Sequence, residues 1–297
     1  MKRLFWFLVL VVAAVVIGAG VYFKHQMMRK VTIGHTVDAA GQKALVVIIP
    51  SYNNERWCIK NLESVFAQKY DNYRVIYIND KSKDHTFELV KQYIDEHGYA
   101  DKVELRNNPE RLGAMANLYN AIHSCNDAEI AVILDGDDWF ANDQVLSRVN
   151  QEYANPEVWL TYGQFVCYPS NNPGFCKEFP SFIAWANLYR SYTWVATHLR
   201  TFYAGLFKKI TKEDLMYEGE FLSVLYDQAM MYPMLEMAGN HVRFIPDALY
   251  VYNQDNPIND GKVALQKVLR FERMVRRMPR YARLAALPAV VSSAVPA

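Results

Sequence analysis

Three short runs of β-branched and aliphatic residues, Ala44–Ile49 (ALVVII), Arg74–Ile78 (RVIYI) and Ile130–Leu134 (IAVIL), each give way at once to a polar cluster. Such short and uniformly apolar runs read as strands buried on both faces, not as the alternating strands of a half-exposed sheet. Pro50 stops the first, and Val103–Leu105 reads as a further short strand. The intervening segments have helical spacing. Glu55–Gln68 carries Trp57, Ile59, Leu62, Val65 and Phe66; Thr86–His97 carries Phe87, Val90, Tyr93 and Ile94, with Gly98 at its end; Leu112–His123 follows. Strands alternating with helices through residue 150 predict an α/β fold whose mostly parallel central sheet is flanked by helices and built by right-handed crossovers. Ligands of such sheets bind at the carboxyl ends of the strands. The polar clusters fall there: Ser51-Tyr52-Asn53, Asn79-Asp80-Lys81-Ser82 and Asp135-Gly136-Asp137-Asp138.

The composition permits a real core, with 52% hydrophobic and 21% charged residues in 297. A net charge of +1 gives the whole chain no electrostatic bias toward nucleic acid, so no nucleic-acid partner is expected. One segment departs from this balance: between Lys262 and Arg283, eight basic residues face the single acid Glu272. It reads either as an amphipathic helix on an anionic membrane or as a solvated helix packing its apolar side on the domain, with Ala285–Ala297 frayed. Cys58, Cys125, Cys167 and Cys176 contain no C-x-x-C pair, so zinc is not suggested. Cys167 and Cys176 could bridge in an oxidising compartment or stay buried thiols. The abundant aromatics serve either a core or a site that stacks flat rings.

Leu4–Phe23 is apolar apart from the tips of Trp6 and Tyr22, with Lys2 and Arg3 before it and Lys24, Arg29 and Lys30 after it. As a helix it spans roughly 30 Å, the thickness of a bilayer's hydrocarbon core. It reads as a single-pass signal anchor. A cleaved signal peptide is the rival, but the apolar run is long and continues past Gly18-Ala19-Gly20. The basic flanks nearly balance, so they do not set the side of the membrane.

No G-x-G-x-x-G follows the first strand and no G-x-x-x-x-G-K-[ST] occurs, so backbone amides of a glycine-rich turn do not cradle a phosphate. A carboxylate cluster can neutralise a diphosphate through a divalent cation, Mg²⁺ or Mn²⁺, which takes hard oxygen ligands. Asp135-Gly136-Asp137-Asp138 at a strand end supplies those ligands, and the small Gly136 permits close approach. Val46–Asn54 (VVIIPSYNN), Val75–Asp84 (VIYINDKSKD) and this D-x-D together resemble the first strand and loop, the second strand with its D-x-S-x-D loop, and the metal motif of family 2 glycosyltransferases. Order and spacing agree over residues 44 to 140, and less clearly to about 255.

The resemblance implies a GT-A (nucleotide-diphospho-sugar transferase) fold, a nucleotide-sugar donor, most often a UDP-sugar, and inversion at the anomeric carbon. It implies that Pro50, Ser51 and Tyr52 lie against the nucleoside, that Asp80 accepts from the uracil ring, and that Asp135 sits near the ribose or the metal. Asp137 would ligate the Mn²⁺ or Mg²⁺, and Arg111 and Asn117 are further donor-site candidates. Two of these have plainer readings: Asp80 as a turn former, and Arg111 as a solvated surface cation. The family's base lies in an acidic pair opening a helix, often Glu-Asp. Here the corresponding residues are Asp227-Gln228, so Asp227 is the candidate base, with a helix N-cap as its structural alternative. His198 is a candidate metal or acceptor contact, or a structural histidine. Trp185, Tyr192 and Trp194 line an acceptor site or pack the core.

The expected organisation is a membrane anchor at 1–30, a linker at 31–43, a catalytic domain at 44–255 and a basic helix and tail at 256–297. Within the domain, 44–150 is the nucleotide-binding half and 151–255 the acceptor half. The expected acceptor is a glycan, a lipid-linked molecule or a protein. Two other readings stay open: a sugar nucleotidyltransferase, which would want a basic glycine-rich loop where Pro50-Ser51-Tyr52-Asn53 stands, and a degenerate, membrane-bound interaction module of the same fold.

Overall fold

The computed structural model describes residues 41–287, with Asp260 and Gly261 by their backbone alone. The anchor expected at 1–30 and most of the linker lie outside the described residues. Among the described residues no helix is long and apolar enough to cross a membrane.

The elements run β1 Leu45–Ser51, α1 Cys58–Phe66, β2 Tyr73–Asn79, α2 Thr86–His97, β3 Val103–Asn107, α3 Ala114–Ser124, β4 Ile130–Ile133, β5 Trp139–Phe140 and α4 Val145–Tyr153. Then come β6 Leu160–Tyr168, α5 Ser181–Trp185, β7 Arg200–Tyr203, α6 Ala204–Phe207, β8 Met216–Tyr217, β9 Glu220–Phe221, α7 Tyr226–Ala238, β10 Val242–Asn253, α8 Asp260–Val263 and α9 Leu265–Arg277. Eight strands form one sheet in the order β3-β2-β1-β4-β7-β6-β10-β5. β1, β2, β3, β4, β6 and β10 share one direction, while β7 and β5 run against them. The sheet therefore runs unbroken across residue 150.

The expected first half is present. Every residue of β1 is buried, as two-sided cover by helices requires. The α2 helix ends where expected, on Gly98 in the left-handed conformation at φ 69°. Pro50, expected to stop β1, instead lies inside it, paired in register with Ile78. The reason is geometric. The carbonyls of Ile48 and Pro50 both point toward β4, accepting from Leu134 and Gly136, and the Pro50 nitrogen faces the same way. The pairing with β4 ends at Ile48, so Pro50 falls where that ladder stops and keeps its place in β1 through the pairing with β2.

Two features position the site. β7 is antiparallel to β4 with Arg200 opposite Ile133, so the first residue of β7 stands at the carboxyl edge of the parallel strands. β10 carries register shifts between Ile245 and Ala248 and between Ala248 and Tyr250. Bulges of this kind bend a strand, and the sheet curls so that the end of β10 meets the turn after β4.

The C-terminal helix α9 packs on the domain through Phe271 and Val275. Beneath it Arg190 is buried, paired with Glu236 at 2.7 Å and donating to the Val275 carbonyl at 2.5 Å. All four cysteines are buried free thiols.

Candidate active site

A cleft of about 240 Å³ opens at the carboxyl edge of the sheet. Pro50 and Tyr52 reach it from the end of β1, Arg111 from the loop before α3, Asp135, Gly136 and Asp137 from the turn after β4, Tyr226 from α7, and Tyr252 and Asn256 from β10 and beyond. Five of the expected residues thus meet in one cavity: Pro50, Tyr52, Arg111, Asp135 and Asp137. Arg111 is not an isolated surface cation; its guanidinium carbon stands 3.8 Å from the centre of the Tyr52 ring.

Ser51, Asp80 and Asn117 lie just behind this wall, all buried. Ser51 Oγ accepts from Tyr77 Oη at 2.9 Å and Asn54 Nδ2 at 3.0 Å. Asp80 holds the loop that carries Arg111: Oδ1 accepts from Asn108 Nδ2 and the Leu112 amide, and Oδ2 from the Gly113 amide, each at 2.8 Å. Asn108 also donates to Asn117 Oδ1 at 2.8 Å, while Asn117 Nδ2 is buried without a partner.

The three acids of the turn take three different positions. Asp138 borders the cleft but is 1% exposed; its carboxylate accepts from Tyr250 Oη at 2.5 Å and from the Asn253 amide at 2.7 Å. It pins the turn to β10. Burial, then the charges of Asp137 and Asp135, push its pKa well above the usual carboxylate range. Asp137 lines the cleft, with Asn256 Nδ2 donating to its Oδ2 at 2.7 Å. Asp135 lines it too, accepting from Tyr226 Oη at 2.5 Å and from Arg200 Nη2 at 3.2 Å. Gly136 is obligatory between them. A Cβ there would stand 2.6 Å from both Cβ and Oγ of Ser51.

Arg200 is 1% exposed. Burial opposes its charge, but Tyr226, Asp135 and Asp227 outweigh that cost and raise its pKa. His198 stacks on Tyr250 with ring centres 4.3 Å apart, and its Nδ1 lies 3.5 Å from Arg200 Nη2. Burial and Arg200 hold it well below the usual histidine pKa, hence neutral. Asp135, Asp138 and His198 bring ligand atoms within 4.8 Å of one another, a possible metal grouping. It fits a cation poorly as it stands: the Arg200 guanidinium already sits between Asp135 and His198, and Asp138 is committed to β10. The cleft side, with Asp137 and Asp135 facing the space a diphosphate would fill, offers the hard oxygen donors that Mg²⁺ or Mn²⁺ prefers.

Asp227 lies in the first turn of α7, whose N-cap position is held by Leu225. It therefore does not cap the helix. Burial raises its pKa, opposed by Arg200 and the Gln228 amide; the nearby charge of Asp135 adds to the rise. Its neighbour Tyr226 lines the cleft, whereas Asp227 sits beside it in the charge network around Arg200. Of the expected acceptor aromatics, Trp185 is 78% exposed and outside the cleft. Tyr192 packs edge-on to Phe179 and Trp194 edge-on to Tyr232.

Arg200, Tyr226, Tyr250, Tyr252, Asn253 and Asn256 were not expected. Arg200 had one local signal, a charge inside an apolar, β-branched stretch. The others depend on pairings far apart in sequence, 91 residues between Asp135 and Tyr226 and 112 between Asp138 and Tyr250.

The family model described as glycosyl transferase family 2 matches residues 46–215. Glycosyltransferase GlyA of Streptococcus pneumoniae is 22% identical over 217 residues, covering 70% of this chain and 30% of that protein. An uncharacterized glycosyltransferase of Haemophilus influenzae is 29% identical over 119 residues, covering 40% of this chain and 46% of that protein. The chain thus spans less than half the length of these curated relatives. Among solved structures, S. aureus TarS 1-349 in complex with UDP-GlcNAc superposes with a TM-score of 0.59 at 16% identity, covering 78% of this chain and 66% of that one. Mannosyltransferase PcManGT from Pyrobaculum calidifontis, in complex with GDP-Man and Mn²⁺, gives 0.50 at 20% identity over 82% of this chain and 66% of that one. At these identities the structural likeness speaks to the fold, an α/β GT-A-like arrangement with a mostly parallel, curled sheet.

Proposed function

The chain belongs to glycosyl transferase family 2, and from that premise we propose that it moves a glycosyl group from a nucleotide-sugar to an acceptor hydroxyl. The donor is a UDP-sugar, the acceptor a glycan, lipid-linked molecule or protein, and the anomeric carbon is inverted. The apolar Leu4–Phe23 segment anchors the enzyme in a membrane. One observation carries the reading: a single cleft joins a cation–aromatic wall, Arg111 on Tyr52, to the carboxylates of Asp135 and Asp137.

In this reading Tyr52 and Pro50 flank the nucleoside, and Asp80 keeps the Arg111 loop in place. Asp137, with Asp135, holds a Mn²⁺ or Mg²⁺ against the diphosphate, where such a cation would offset the charge of the leaving group. Asp227 removes the proton from the acceptor hydroxyl as that oxygen attacks the anomeric carbon on the face opposite the diphosphate. Its burial suits a base whose pKa must rise toward the working pH. Arg200, which pairs with Asp135, opposes that rise.

The test presents the full chain in detergent to a panel of UDP-, GDP- and CMP-sugars with Mn²⁺, reading donor hydrolysis and donor-dependent thermal shift. Silence toward every donor, with and without metal, overturns the enzyme reading. Asp227→Asn is expected to keep the donor-dependent shift and lose transfer; retained turnover removes Asp227 as the base.

A further inference from the structure

The basic C-terminal segment plays no part in the cleft. Of its helix α9, Arg276 serves the fold: it pairs with Glu272 and donates to the carbonyls of Arg190 and Tyr192. Lys267, Arg270, Arg273 and Arg277 differ in lacking an acid partner, although Arg270 donates to Tyr217 Oη and its guanidinium carbon stands 4.9 Å from the centre of that ring. Among the described residues none of them has a carboxylate within 4.0 Å. Arg270, Arg273 and Arg277 recur at three- and four-residue spacing and line one cavity of about 490 Å³ together with Met274 and Met278. This is a row of guanidinium groups beside a thioether surface. A second feature accompanies it. While Phe271 and Val275 face the domain, Leu265 and Leu269 are 53% and 43% exposed one turn apart on the same helix, and Val263, just before it, is 64% exposed.

We propose that this outer face of α8 and α9 docks on an anionic lipid bilayer. The shared chemistry of the row is phosphate recognition by arginine. The exposed aliphatics decide the source. A soluble polyanion would gain nothing from Leu265, Leu269 and Val263, whereas the boundary of a bilayer takes up aliphatic side chains beside bound phosphates. The surface belongs to the folded domain and is independent of both the sugar-transfer reading and the N-terminal anchor.

The experiment uses the full chain with Leu269→Cys labelled with an environment-sensitive dye; the native thiols are all buried. A control label replaces Asp101 in the turn before β3. Vesicles of phosphatidylglycerol and phosphatidylcholine should shift the Leu269 label to the blue, and acyl-brominated lipid should quench it. Pure phosphatidylcholine vesicles and the control position should give neither effect. High salt should abolish the shift, as screening of a surface contact demands. Replacing Arg270, Arg273 and Arg277 by Gln should weaken docking about a hundredfold, at roughly fivefold per cation. Arg273→Gln alone, which gives up a bond to the Leu269 carbonyl, carries the test if the triple variant does not fold. No shift on anionic vesicles overturns the proposal, as does an equal shift on neutral vesicles, at the control position, or with soluble polyphosphate.

Discussion

Replacing Arg200 by Met tests the charge arrangement of the site directly. The guanidinium lies 3.2 Å from Asp135 Oδ2. At an effective dielectric constant of about 20, that separation corresponds to roughly 5 kcal/mol of attraction. Against it stands the desolvation of a cation that is 1% exposed and whose Nε is buried without a partner, of which the orphaned N–H alone costs about 1–3 kcal/mol. Met is of similar length and removes both the cost and the attraction, leaving Asp135 with Tyr226 and Tyr250 as donors. The expected net loss is about 3 kcal/mol, at the lower end for breaking a buried pair, because Asp135 remains 17% exposed and can hydrate. Denaturant unfolding followed by tryptophan fluorescence reads this number. The second readout is the pH–rate profile. Arg200 is the largest influence lowering the Asp227 pKa against its burial, so its removal moves the acidic limb of the profile to higher pH, whereas Arg200→Lys leaves the limb near its original place. A Met variant with both the stability and the acidic limb of the parent would refute the role given to Arg200.

Asp137→Ala is expected to abolish metal-dependent nucleotide binding, measured by calorimetry with and without Mn²⁺; parental affinity in the variant removes the metal assignment. Gly136→Ala forces a methyl against Ser51 at 2.6 Å and is expected to cost about 1–3 kcal/mol as overpacking, read from unfolding midpoints, with donor affinity falling in parallel. Asp138 has a folded pKa raised well above its unfolded value. Its contribution to stability is therefore full below an ordinary carboxylate pKa of about 3.9 and is lost as pH rises through the folded value. Asp138→Asn, able to accept from the Asn253 amide and donate to Tyr250 Oη, is expected to flatten that decline, and a melting series unchanged in its pH dependence would contradict the assignment.

What could be read from the chain was local. β1, β2, β4 and α2 announce themselves through runs of buried β-branched residues and a helix closed by Gly98, and the edge at which the polar clusters gather follows from parallel order. Pro50 misled because its effect depends on which side of the strand its nitrogen faces, and that depends on where β4 stops. Asp135, Asp137 and Asp138 look alike in sequence, yet Asp135 pairs with Arg200, Asp137 accepts from Asn256 and Asp138 anchors β10. Their separation is decided by strands β7 and β10. A reversed strand beginning at Arg200 has no distinguishing composition, and its direction comes from long-range pairing alone. The hold of Asp80 on Leu112 and Gly113 is hidden in the sequence because that loop has no spacing to reveal it.

The clasp that Asp80 makes on that loop bears on the thermodynamics of ligand entry. Three hydrogen bonds to one buried carboxylate order residues 108 to 113 without any ligand. A nucleotide then meets a wall whose backbone entropy was surrendered during folding, at about 1–2 kcal/mol per residue. Association on this side of the cleft should resemble rigid docking, with a small heat-capacity change. Amide exchange at Leu112 and Gly113 should be slow in the free protein and little slower in the bound one. Releasing the clasp with Asp80→Ala would free the loop that carries Arg111 and transfer that ordering cost to the binding step, weakening affinity through entropy.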